Sequence, residues 1–124
     1  ESGGFDESLP ACEDYDLWLR LSLKMPIYLI DKKLVIKRGG HSDQLSRNIP
    51  YLDRFRVYSM TKLLENYHLD IEKMRLLKKS LIEKCTILCN GLKKKEKLKE
   101  AKYYEQLLAK HGIERDSNSS YQNF

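Results

Sequence analysis

Apolar residues recur at helical spacing over most of the second half of the chain. They form three stripes, over residues 51–67, 71–89 and 96–110. Because positions three and four apart lie on the same face of an α-helix, each stripe predicts an amphipathic helix. Residues 51–113 are therefore expected to form a helical unit.

Three residue types indicate where these helices begin and end. Asp70 stands immediately before the second stripe, where its carboxylate can accept a backbone N–H of the first turn. Asn90 and Gly91 follow that stripe and predict its end, and Gly112 does the same for the third. The polar residues 114–124 are expected to form a flexible tail.

The first half of the chain has a more ambiguous pattern. Residues 13–25 fit both a strand-like alternation and a helical stripe, and we favour a helix because β-branched residues are absent and acidic residues stand at its start. Pro26 should stop this helix. Residues 27–30 and 34–37 are β-favouring and predict a short β-hairpin or a pair of extended segments.

Size and composition indicate one domain of moderate size. The chain has 124 residues, of which 41% are hydrophobic and 33% charged, as in globular proteins. No apolar run approaches the roughly 20 residues that cross a bilayer, and the acidic start does not resemble a signal peptide. An odd number of cysteines, three, argues against a disulfide framework. We therefore expect a cytoplasmic protein that has no transmembrane segment, and the alternative is peripheral association with a membrane.

The net charge of +5 raises the question of a nucleic-acid partner. Acidic residues interleave with the lysines of residues 93–100, and no aromatic residues alternate with them. We therefore predict a solvated helix face and no nucleic-acid binding. Cys85 and Cys89 lie four residues apart on one helix face, but without neighbouring ligands they are expected to be core cysteines rather than a metal site.

Candidate chemistry is concentrated near the start of the chain. Glu13 and Asp14 open the predicted first helix, ten residues after Gly3 and Gly4. Two carboxylates in a first turn fit favourable interaction with the helix dipole, which is worth about 0.3–1 kcal/mol. They also fit a general base beside a glycine loop that a substrate can approach closely. The two interpretations are compatible.

The residues GGFDES, EDYDLWLRL and RGGHSDQLS, in this order and spacing, resemble the C-terminal half of the catalytic domain of family 2 glycosyltransferases. These enzymes have the GT-A fold and use nucleotide-sugar donors. The resemblance covers roughly residues 2–47. It implies that residues 1–50 are the C-terminal piece of an α/β GT-A-like domain, followed by a helical extension over residues 51–113. The expected fold class is therefore mainly α with a short β-hairpin or a pair of extended segments, in which the truncated C-terminal part of an α/β domain is followed by a helical bundle or hairpin.

The resemblance also implies a role for individual residues. Asp14 would be the base that takes the proton of the acceptor hydroxyl, and Glu13 would help to shape the site. Gly3, Gly4 and Asp6 would border the acceptor. Arg38 would bind the donor diphosphate and His41 would contact the metal ion or a phosphate. Trp18 would pack the helix against a sheet.

One departure from the family pattern limits what this chain should do alone. An Asp-x-Asp metal motif in a strand context is missing, because Asp14 and Asp16 diverge by about 200° on a helix. We therefore expect the chain to be a fragment that is inactive by itself. The full-length protein should use a divalent metal, Mn²⁺ or Mg²⁺, a nucleotide-sugar donor and a hydroxyl acceptor, and should invert the anomeric centre. We expect no metal bound to the fragment.

Two other functions compete with glycosyl transfer. The last two helices form an αα-hairpin that could bind a protein partner or a second copy of the chain, without catalytic activity. The lysines of residues 93–99 leave a weaker possibility of nucleic-acid binding. The sequence does not determine the donor sugar, the acceptor or the oligomeric state.

Overall fold

A computed structural model describes residues 3–36 and 49–113. These residues contain four α-helices: α1 (Glu13–Ser22), α2 (Asp53–Asn66), α3 (Ile71–Lys94) and α4 (Leu98–Lys110). Each helix packs against the next one along the chain. The expected fold class is wrong over these ranges, because they hold no strand and no portion of an α/β domain.

The predicted β-hairpin is wrong for residues 27–36, the part of it that the structure describes. These residues are not helical, yet they form no ladder, and the hydrogen bond within them runs from the Lys32 N–H to the Ile30 carbonyl at 2.8 Å. Leu29, Val35 and Ile36 are each more than 80% exposed. Strand-favouring residues become a sheet only with a neighbouring strand, and residues 3–36 and 49–113 provide none.

The ends of α3 are set by the residues that cap its backbone, and the glycine in its sequence does not end it. Asp70 caps α3 as predicted, because its side chain accepts the Lys73 N–H at 2.8 Å. However, α3 continues past Gly91, and the left-handed residue that ends it is Glu96, with φ of 58°. The Lys97 N–H then reaches the Leu92 carbonyl at 3.0 Å, which is the hydrogen bond of a Schellman motif.

The same motif ends α4 where it was predicted. Gly112 has φ of 62°, and the Ile113 N–H reaches the Leu108 carbonyl at 3.0 Å. Three helices are shorter than the patterns predicted: α1 ends at Ser22, before Met25, α2 spans Asp53–Asn66 within the stripe over residues 51–67, and α4 begins at Leu98.

One core joins the helices. Its buried members come from α2, α3, α4 and the residue that follows α4: Val57, Met60, Leu81, Cys85, Leu88, Leu108 and Ile113. Tyr15 and Leu19 of α1 pack against this cluster, so the segment with the candidate chemistry rests on the helices after residue 51. Cys85 and Cys89 are buried and unbridged, as expected of core cysteines.

The exposure of individual side chains tests the predictions about a membrane, a protein partner and Trp18. Within residues 3–36 and 49–113, none of the helices combines the length and the hydropathy needed to cross a bilayer. Leu108 is 1% exposed, so it packs inside the chain and is not available to a partner. Trp18 is 56% exposed and does not pack against a sheet in the described structure.

Candidate active site

The glycine loop before α1 is held in a compact turn by Asp6. Its Oδ1 accepts hydrogen bonds from the Ser8 N–H at 3.0 Å and from the Ser8 hydroxyl at 2.6 Å. The Leu9 N–H donates to the Asp6 carbonyl at 3.0 Å. Gly3 enters this turn with φ of 69°, in the left-handed region that favours glycine. Asp and Ser favour turns because their side chains can hydrogen-bond to the backbone of nearby residues.

A buried charge cluster lies beneath the loop. Asp16 of α1 is fully buried, and its Oδ2 accepts from Arg20 Nε at 2.8 Å, one helical turn away. Its Oδ1 lies 2.6 Å from Lys62 Nζ of α2. A buried carboxylate requires such partners, because an unpaired buried charge is costly.

The same two cations also hold the loop. Lys62 Nζ donates to Asp6 Oδ2 at 2.7 Å, and Arg20 Nη2 donates to the Gly4 carbonyl at 2.7 Å. Asp6, Asp16, Arg20 and Lys62 thus form one continuous set of contacts, which we call the ion cluster. It connects the glycine loop, α1 and α2.

The ion cluster shifts the protonation equilibria of its members. The hydrogen bond from Lys62, followed by that from Ser8, lowers the pKa of Asp6 from 3.8 to about 2. Burial alone would lower the pKa of Lys62, but hydrogen bonds to Asp16 and Asp6 outweigh it and raise that pKa. Both groups are therefore charged at neutral pH, and their attraction persists over the physiological range.

A shallow concavity of about 360 Å³ opens above the cluster, near the lower limit of ligand sites, about 300 Å³. Its wall combines the glycine loop with α1 and the end of α2. The lining residues are Gly3, Gly4, Phe5, Asp6, Arg20, Lys62, Asn66 and Tyr67.

The structure brings some of the predicted site residues together and separates others. Gly3, Gly4 and Asp6 share the concavity, whereas Asp14 and Glu13 do not line it. Asp14 is exposed at the start of α1, and its Oδ1 accepts the Tyr15 N–H at 2.7 Å. Exposed Asp14 and buried Asp16 differ because residues two apart on a helix point about 200° apart.

Two predicted residues, Arg38 and His41, lie outside the described residues. The structure therefore says nothing of their roles toward a diphosphate or a metal ion. Within residues 3–36 and 49–113, no group of three or more His, Cys, Asp or Glu side chains is arranged to hold a metal ion. The described residues thus contain no cluster of three or more such ligands for the divalent metal that the resemblance implies.

Sequence reasoning missed Asp16, Arg20 and Lys62 as parts of this region. Asp16 and Arg20 are four residues apart, a spacing that predicts an ion pair on one helix face, so this pair could have been found. Lys62 is 56 residues from Asp6. No local pattern marks it among the other lysines of the chain.

Comparison with known proteins gives partial matches. Proteins of Rickettsia felis and Rickettsia conorii, each named an uncharacterized glycosyltransferase, are 43% identical to the chain over 49 residues, which is 40% of this chain and 8% of each relative. A protein of Rickettsia bellii with the same name is 47% identical over 45 residues, 36% of this chain and 6% of the relative.

The aligned part is less than a tenth of the length of these relatives. No protein-family model matches the chain, and no solved structure is significantly similar to it. These matches relate part of the chain to glycosyltransferases.

Proposed function

We propose that the chain is part of a family 2 glycosyltransferase that moves a sugar from a nucleotide donor to a hydroxyl acceptor. The observation that carries the proposal is the 43–47% identity of 45–49 residues to proteins named glycosyltransferases. The motif resemblance of residues 2–47 supports the family. The donor nucleotide, the sugar and the acceptor are not specified by these features.

In this proposal Asp14 is the general base. Its carboxylate takes the proton of the acceptor hydroxyl while the oxygen forms a bond to the anomeric carbon of the donor. The bond from that carbon to the diphosphate breaks on the opposite face, and its electron pair leaves with the nucleoside diphosphate. The configuration at the anomeric carbon is therefore inverted.

Two features of α1 support Asp14 in this role. Its side chain is exposed, so an acceptor hydroxyl can reach it. The Tyr15 N–H that donates to Oδ1 lies in the first turn of α1, where the helix dipole favours a negative charge. Glu13 is partly buried beside it and would help to shape the site.

The roles of the other predicted residues are also part of this proposal. Gly3, Gly4 and Asp6 would border the acceptor, Arg38 would bind the diphosphate and His41 would approach the metal ion or a phosphate. A divalent metal would stabilise the leaving diphosphate when bound.

The experiment measures nucleoside diphosphate release and sugar transfer by the polypeptide that contains this chain, with a panel of nucleotide sugars and hydroxyl acceptors. The wild type should transfer sugar from at least one donor. Asp14→Asn should lower turnover by about 10²–10⁴-fold. Asp31→Asn changes an exposed carboxylate in the non-helical residues 27–36; it is the matched control and should keep turnover. Absence of transfer with every donor would refute the proposal.

A further inference from the structure

The ion cluster joins two parts of the chain that the sequence separates. Asp6 and Asp16 belong to the segment that resembles a glycosyltransferase, and Lys62 belongs to α2. Lys62 Nζ lies 2.7 Å from Asp6 Oδ2 and 2.6 Å from Asp16 Oδ1. One ammonium group therefore bridges the glycine loop and α1 at the same time.

This bridge fixes the loop at more than one point. Asp6 uses its other carboxylate oxygen to hold both the N–H and the hydroxyl of Ser8. Arg20, oriented by Asp16, holds the Gly4 carbonyl. The loop conformation consequently depends on where Lys62 places Asp6 and Asp16 relative to each other.

Charge balance argues against Lys62 as a site for an anionic substrate group. The ion cluster contains two carboxylates and two cations, so their formal charges cancel. Both carboxylates lie within 2.7 Å of Lys62 Nζ, and 23% of its side chain is exposed. The ammonium therefore already faces two carboxylates of the chain.

We propose that Lys62 is a positioning residue that holds the Gly3–Asp6 loop in the conformation that borders the acceptor. This inference rests on the proposed glycosyl transfer. It means that α2, which lies outside the segment that resembles the family, helps to build the site. Lys62 acts through Asp6 and Asp16 and does not itself contact the reacting atoms.

The first part of the test follows the loop in the chain itself. Lys62→Met removes the ammonium and keeps most of the aliphatic stem, while Lys62→Arg keeps the charge. Lys84→Met is the matched control, because Lys84 pairs with Asp53 at 3.4 Å and is similarly exposed, 32% against 23%. Amide hydrogen exchange is measured at Ser8 and Leu9, whose N–H groups bond to Asp6.

Lys62→Met should accelerate exchange at these two amides by about tenfold, the effect of losing one hydrogen bond to a charged group. Exchange in the core of α3 reports the change in global stability separately, because core amides exchange through global unfolding. Lys62→Arg should restore slow exchange, and Lys84→Met should leave the loop unchanged. Unaltered loop exchange in Lys62→Met would overturn the inference.

The second part measures transfer kinetics in the polypeptide that contains this chain, with the donor and acceptor found in the panel. Lys62→Met should raise the acceptor KM about tenfold or more, because a displaced loop loses contacts that bind the acceptor equally in the ground state and the transition state. The donor KM should be unchanged, and Lys62→Arg should recover the acceptor KM. A lower kcat with an unchanged acceptor KM indicates a merely structural role and overturns the inference.

The two parts also separate this inference from the proposed function. If the wild type transfers no sugar, glycosyl transfer and the acceptor role of Lys62 both fail, and the exchange data alone decide whether Lys62 tethers the loop. If the wild type transfers sugar and Lys62→Met has normal kinetics, only the inference about Lys62 is overturned.

Discussion

Removal of the Asp16 carboxylate should be one of the most destabilising single changes near the site. Asp16 is fully buried and lies within 2.8 Å of both Arg20 Nε and Lys62 Nζ. Asp16→Ala would leave two cations without their shared partner and open a small cavity beneath the loop. Breaking a buried ion pair in this way costs about 3–5 kcal/mol.

The lower end of that range applies here, for two reasons. Lys62 keeps Asp6 as a partner at 2.7 Å, and about a quarter of the Lys62 side chain is exposed to water. We therefore expect a loss of about 3 kcal/mol. At about 4 °C per kcal/mol for a chain of this size, this loss lowers the melting temperature by about 12 °C.

The assay is urea unfolding followed by helical circular dichroism, with thermal unfolding as a second measurement. Glu72→Ala is the control, because the Glu72–Arg75 pair is on the surface, with both side chains more than 60% exposed, and such pairs contribute about 0–1 kcal/mol. If Asp16→Ala lost less than about 1 kcal/mol, the ion cluster would not stabilise the chain and the reasoning would be wrong.

Three further predictions concern the loop and the core. The pKa of Asp6 is lowered to about 2, so the contribution of this carboxylate to stability is present above about pH 4 and is lost as the pH falls toward 2. Over this pH range the free energy of unfolding should therefore fall less in Asp6→Asn than in the wild type. Gly3→Ala should cost about 1–2 kcal/mol because φ is 69°, whereas Gly4→Ala, with open space around its Cβ position, should stay within about 0.5 kcal/mol. Equal losses at the two glycines in a denaturant titration would contradict this. Leu81→Ala should cost about 2–5 kcal/mol because Leu81 is fully buried, and Leu98→Ala, 63% exposed, should cost far less in the same titration.

The sequence predicted the parts of the fold that depend on local pattern. The stripes of apolar residues located α2, α3 and α4, and Asp70 and Gly112 marked helix boundaries because capping depends on one residue and its neighbours. Gly91 misled the prediction, since a glycine can lie inside a helix while a different residue, Glu96, adopts the left-handed conformation.

The predictions that failed or were missed depend on distant neighbours. Residues 27–36 have strand-favouring side chains, but a strand also needs a partner strand, which the described residues do not provide. The sequence identified the glycine loop as a candidate site. It did not reveal the contact between Lys62 and this loop, because Lys62 and Asp6 are 56 residues apart in the chain. Asp14 and Asp16 look alike in sequence, and only the helix shows that one is exposed and the other buried.

The proposed role of Asp14 as the base of a glycosyl transfer can be measured directly in the turnover of Asp14→Asn. Because Asp14 is exposed, the variant should lose no more than the helix-dipole contribution, about 0.3–1 kcal/mol, and should remain folded. We predict that its sugar transfer falls by about 10²–10⁴-fold. Near wild-type turnover in a folded Asp14→Asn variant would contradict the account.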